Sequence, residues 1–143
     1  MNKKLWLKVF LPLLSLMAVV LATTSDSVTI YDIPAQTVQT CSYFSLVTEE
    51  TVQLCTPFAA IMAVAALVLA VIYVLAEKRW SIRGVFYTAL LSCFAATVPP
   101  LVRGDVIVVP HVLFPVLMAI VCLLAYSVVK QPKSEEPTAT RLD

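Results

Sequence analysis

Four cysteines, one histidine and a few membrane-level hydroxyls are the residues of this chain whose types could carry chemistry. Cys41 and Cys55 flank residues 42–54, and a bond between them would close a loop of about 15 residues, contributing about 3 kcal/mol by restricting the unfolded chain. The spacing predicts a structural disulfide on the oxidising side of a membrane. The competing chemistry is thiol–disulfide exchange, which favours a Cys-x-x-Cys pair or a second exposed pair to relay electrons. Neither pattern occurs in the sequence. Cys93 and Cys122 lie in apolar runs without charged neighbours and read as small packing residues. His111, between Pro110 and Pro115, has no carboxylate or thiol beside it and reads as an interfacial hydrogen-bonding residue rather than a metal ligand. No Walker loop, Gly-x-Ser-x-Gly elbow or His-Glu-x-x-His pattern is present, so no catalytic residue, metal site or cofactor is assigned.

The elements that must position these residues follow from composition. Of 143 residues, 60% are hydrophobic and 13% charged, with a mean hydropathy of +0.91. A soluble domain has roughly 45 to 50% apolar and about 25% charged residues. This is the composition of an integral membrane protein, and its net charge of +1 gives no field that would gather nucleic acid. A helix crossing about 30 Å of hydrocarbon needs roughly 20 apolar residues. Stretches 5–22, 58–76, 82–102 and 111–129 meet or approach that length. Thr56-Pro57 predicts an N-cap followed by proline at the first helical position. Pro99-Pro100 predicts a break or end of the third helix, Pro110 and Pro115 an irregular opening of the fourth. Residues 106–109, a β-branched run, read as extended.

Basic residues resist translocation. Of the ten Lys and Arg, all but Arg103 precede or enter the start of span one, lie between spans two and three or at the opening of span three, or follow span four. Both termini are therefore expected in the cytoplasm of a plasma-membrane protein, with residues 25–54 outside. Trp6, Trp80 and Tyr126 stand near the cytoplasmic ends, where amphipathic rings prefer the interface. Residues 1–22 also fit a cleaved signal peptide, but Leu5, Trp6 and Leu7 extend the apolar run and favour a retained helix.

The outer segment holds no Lys or Arg and alternates with a β-like period: Val28, Ile30, Val38, Tyr43, Phe44, Leu46, Val47, Val52 and Leu54, punctuated by Asp32, Pro34 and Glu49-Glu50. A lone hairpin is marginal in water, so three strands or a covalent tie are expected. The fold class predicted is thus a membrane all-α, four-transmembrane-helix bundle with a small disulfide-tied antiparallel β-sheet in the first extracytoplasmic loop. Tyr31, Tyr43 and Phe44 are the candidate partner-binding aromatics of that sheet, against the plainer reading that they pack it onto the helix ends.

Within the spans, small residues recur at helical spacing: Ala59, Ala63, Ala66 and Ala70 on the second, and Ala89, Ser92, Cys93 and Ala96 on the third. Small side chains let backbones approach, and packing holds helices together in lipid, within one chain or between copies. No Asp or Glu falls inside a span, and Lys8 and Arg83 stand near span ends, which disfavours a proton-coupled carrier that would keep a membrane carboxylate. Glu77 reads as an interfacial charge, and Arg103-Gly104-Asp105 as a glycine turn rather than an adhesion motif. Residues 1–130 form the membrane domain and 131–143 a disordered cytoplasmic tail.

Four helices, a β-rich first outer loop with a cysteine pair, a short second outer loop and an inner tail resemble the claudin plan. The chain has Val38-Gln39-Thr40-Cys41 where that family carries Trp-x-x-Cys, so the resemblance extends to architecture and not to a paracellular role. The order of parts is also similar to small bacterial four-span membrane proteins of unassigned role, with a Pro/His entry to the last helix, here Val109-Pro110-His111. Architecture does not confer activity. Three functions follow as expectations. The first is a non-enzymatic interaction or accessory subunit, contacting the lipid bilayer and another membrane protein such as a transporter subunit, or its own copies. The second is a thiol–disulfide oxidoreductase using Cys41 and Cys55. The third is a small-solute pore lined by Thr88, Ser92 and Thr97.

Overall fold

The computed structural model of the chain describes residues 3–24, 28–32, 37–44, 54–103 and 109–130, with side chains over 6–24, 42–44, 54–98 and 112–130. Four helices, α1 (Lys3–Thr23), α2 (Cys55–Ala76), α3 (Arg79–Arg103) and α4 (Val109–Val129), are joined by a ribbon of strands β1 (Val28–Asp32) and β2 (Thr37–Cys41). The shorter helices have 21 residues, about 32 Å at 1.5 Å per residue, which matches the hydrocarbon layer. All four are long and apolar enough to cross it. The chain is a multi-pass, four-helix membrane protein.

Side-chain size sorts the two faces of each helix. Leu16, Val68, Leu75, Phe94 and Leu123 point outward, whereas the inward stripes are rich in alanine and serine. Water would penalise so much exposed large apolar surface; lipid does not, and small inward residues permit close helix contact. Helix α1 packs on α2 and α4, and α3 packs on the same two, so α1 stands opposite α3 in a closed ring.

Several boundaries differ from the sequence expectation. Helix α2 begins at Cys55, preceded by Leu54 at φ −69°, ψ −19° with no side-chain cap, so Thr56 and Pro57 lie within the first turn. Proline is tolerated there because the first N–H groups have no intrahelical acceptor. Helix α3 does not break at Pro99-Pro100 but continues to Arg103. Proline's fixed φ is itself helical, so the pair removes the donors to the carbonyls of Ala95 and Ala96 without turning the backbone out of the helix. Val109, expected to be extended, opens α4, with Pro110 in its first turn; residues 106–108, like the tail 131–143, lie outside the described residues.

The disulfide-tied sheet is corrected. The described residues form an all-α bundle, and the outer segment adds only an antiparallel two-stranded ribbon, with Val28 opposite Cys41 and Asp32 opposite Thr37. Cys55 is a free thiol in the first turn of α2, so the tie to Cys41 is not made. Tyr43 and Phe44 form a turn instead of a third strand, and 45–53 lie outside the described residues. The ribbon is held by docking: Tyr43 is fully buried and its N–H donates to the Ala22 carbonyl at 3.1 Å.

Candidate functional site: the α3 seams and the two ends of the bundle

Helix α3 touches both neighbours through short side chains. Ala59, Ala63, Ala66 and Ala70 of α2, and Ala89, Ser92 and Ala96 of α3, are completely buried; Cys93 is half-buried. Where the two stripes meet, the Ser92 hydroxyl donates to the Ala59 carbonyl at 2.7 Å. That bond requires small residues on both helices, because a larger side chain at either position would hold the backbones apart. Farther in, a Cβ on Gly84 would stand 2.8 Å from Leu69 Cδ1. The absent side chain is the notch that receives this leucine.

Two thiols tie α3 to α4. Cys93 Sγ lies 3.5 Å from the Pro115 carbonyl oxygen, and Cys122 Sγ 3.9 Å from that of Phe86. Phe86 and Cys93 are two turns apart on α3, as are Pro115 and Cys122 on α4, so the two contacts set one antiparallel register. They also hold the thiols about 10 Å apart along the bundle. A disulfide needs its Cα atoms within about 7 Å. In this register the two cysteines are too far apart along the bundle to bridge.

The candidate pore hydroxyls are engaged elsewhere. Thr88 Oγ1 donates to the carbonyls of Gly84 at 2.8 Å and Val85 at 3.2 Å, and Thr97 Oγ1 to that of Phe94 at 2.8 Å. Such back-bonding satisfies a hydroxyl within its own helix. Ser15 does the same on α1, to Leu11 at 2.9 Å. Ser81 Oγ, in the first turn of α3, is buried without a hydrogen-bond partner.

At the ribbon end of the bundle, the Tyr43 and Phe114 rings lie 4.4 Å apart between centroids and are tilted by 31°. Tyr43, one of the candidates for partner contact, is completely buried and anchors the ribbon on the helix ends. Burial pushes the Tyr43 phenol well above its ordinary pKa. Phe44 remains exposed. Tyr31 is in β1 opposite Val38; its side chain, and those of Cys41 and His111, lie outside the described set.

At the opposite end, only Glu77 and Lys78 separate α2 from α3. Glu77 takes the left-handed conformation at φ 50° and closes α2 by donating its N–H to the Tyr73 carbonyl at 2.9 Å. Its carboxylate accepts from the Lys8 ammonium on α1. Around this end Trp80, Arg83, Tyr87, Tyr126 and Lys130 are exposed, with Phe86 packed on Tyr126 at 5.8 Å and edge-on to Tyr87 at 5.3 Å.

Sequence reasoning missed the part played by α1. Leu11, Ser15, Ala18 and Ala22 are buried and repeat the spacing of the α2 stripe. That periodicity was a readable signal. Lys8 to Glu77 was not, since the two are far apart in the chain and meet only once the bundle closes. Among the described residues no group of His, Cys, Asp and Glu could hold a metal ion. No known protein family, curated protein or solved structure matches this chain.

Proposed function

We propose that the chain is a non-enzymatic accessory or interaction subunit of a cell membrane, working through its outer segment and outward helix faces. The observation that carries this reading is the filled ring. Small side chains close the interior, and the Ser15, Thr88, Ser92, Cys93, Thr97 and Cys122 heteroatoms are all spent on backbone carbonyls. Ser92, Cys93 and Cys122 knit neighbouring helices together, Ser15, Thr88 and Thr97 bond within their own, and none of the six is left to line a conduit or join a reacting constellation. What is left to meet other molecules is the outside.

The α2 and α3 small-residue stripes are consumed within the chain, which favours a different protein over a second copy docked through those stripes. Phe44, exposed beside the anchored Tyr43, is the aromatic presented at the outer end. Both termini are assigned to the cytoplasm from the segregation of all Lys and Arg but Arg103. Helix α1 is assigned as a retained span rather than a removed signal, supported by its buried stripe and its ties to Glu77 and Tyr43.

In-membrane crosslinking followed by purification and mass spectrometry tests the reading: a stoichiometric companion is expected, lost on Phe44→Ser. Repeated recovery of the chain alone would overturn it. The redox reading retains one support, the free Cys55 thiol.

A further inference from the structure

We propose that the groove between α3 and α4 at the Lys130 end binds the headgroup of an anionic phospholipid, its phosphate held between Arg83 and Lys130 above the Tyr126 ring. This goes beyond partner binding and rests only on the helices spanning a bilayer.

The register supplies the geometry. Because Cys122 is level with Phe86, Arg83 is level with Ala125, and Lys130 lies about 7.5 Å farther along the axis at 1.5 Å per residue. Arg83, Phe86 and Leu90 form one stripe of α3 by their spacing, as Tyr126 and Lys130 do on α4. The two stripes meet where Phe86 packs on Tyr126. Lys130 still donates its N–H to the Tyr126 carbonyl at 2.9 Å, so it keeps helical direction. Side chains of a helix lean toward its N-terminus. In this antiparallel pair that tendency directs Arg83 outward along the groove and Lys130 back into it, toward one another at the level of Tyr126.

The surroundings select an anion. Arg83 and Lys130 are both exposed, and among the described residues neither has an acidic partner. Glu77, the acid described at this end, is engaged by Lys8 of α1. A guanidinium and an ammonium flanking one gap suit a phosphate, bidentate at Arg83 and as a point charge at Lys130. Exposed Tyr87 and Trp80 mark the same level as interfacial. Below it, Leu90 and Leu123 continue as exposed apolar surface along which acyl chains can lie. A lipid supplies both halves of this pattern; a free phosphate supplies one.

The test is the full chain in nanodiscs of equimolar phosphatidylcholine and phosphatidylglycerol, with retained lipids counted by native mass spectrometry. Phosphatidylglycerol should be enriched. Arg83→Gln and Lys130→Gln should each reduce that preference about fivefold, while Lys78→Gln, exposed on the neighbouring turn, should change it by less than about twofold. Circular dichroism checks that each variant is folded. No preference in the parent chain, an equal loss from Lys78→Gln, or displacement of the lipid by millimolar inorganic phosphate would each overturn the proposal. None of these outcomes bears on whether a protein companion is recovered.

Discussion

The Tyr43 ring lies against that of Phe114 at 4.4 Å, so the ribbon is fastened to the bundle by an aromatic pair, while Cys55 stays a free thiol. Removing the ring leaves a cavity at the mouth of α1 and α4. Tyr43→Ala should lower stability by about 3 kcal/mol and expose the ribbon to protease. Tyr43→Phe keeps the ring and should cost far less. Denaturant titration with limited proteolysis checks both, and equal effects of the two substitutions would contradict the anchoring role.

The same burial gives a pH dependence. The folded phenol of Tyr43 titrates above the ordinary value of 10.0, so the folded state holds a proton that the unfolded state releases. Stability is therefore level below that value and declines as pH rises past it. Tyr43→Phe should abolish the alkaline decline. A parent chain whose stability stays level through strong alkali would count against a buried phenol.

Inward alanines should be intolerant of bulk. Ala63→Leu and Ala66→Leu, at fully buried positions, should each cost about 1–3 kcal/mol by overpacking. Val68→Leu, on the lipid face, should stay within about 0.5 kcal/mol. Ser92→Ala removes the bond to Ala59 and should cost about 0.6 kcal/mol. Unfolding in mixed micelles reads all four.

Lys8 and Glu77 should couple weakly. Glu77 is 67% exposed, and exposed pairs are worth about 0.2–1 kcal/mol and weaken with salt. Glu77→Gly loses the pair but relieves a left-handed, non-glycine backbone, so it should be better tolerated than Glu77→Gln. A double-mutant cycle with Lys8→Met, repeated at high salt, measures the pair alone.

Cys55 should be labelled by a thiol reagent in intact membranes without prior reduction, and Cys55→Ser should change stability by less than about 0.5 kcal/mol. A thiol that becomes inaccessible and recovers with a change of redox conditions would instead favour the exchange chemistry of the oxidoreductase reading.

What was legible in the sequence was what depends on local composition. Span length and the alanine period of α2 are properties of consecutive residues, and the helices and their buried faces follow them. Tyr43 was ambiguous, because an aromatic in a β-rich outer run has the same pattern whether it greets a partner or fills a socket. The Cys41–Cys55 expectation rested on spacing, which says nothing of whether the first turn of α2 will take up Cys55. Pro99-Pro100 was misread because the penalty for proline is set by which carbonyls lose donors, and near a helix end that loss is small. The groove at Arg83 and Lys130 depends on the register of α3 against α4, which the Cys93, Cys122 and Phe86–Tyr126 contacts reveal and the sequence does not.

The link of Glu77 and Lys78 is too short to let α2 cross the bilayer while α3 waits on the far side. The two enter as one bent rod with its charges gathered at the bend. Inverting this pair would require dragging Lys78, Arg79 and Arg83 through hydrocarbon together, so its topology is decided at insertion and kept for the lifetime of the molecule.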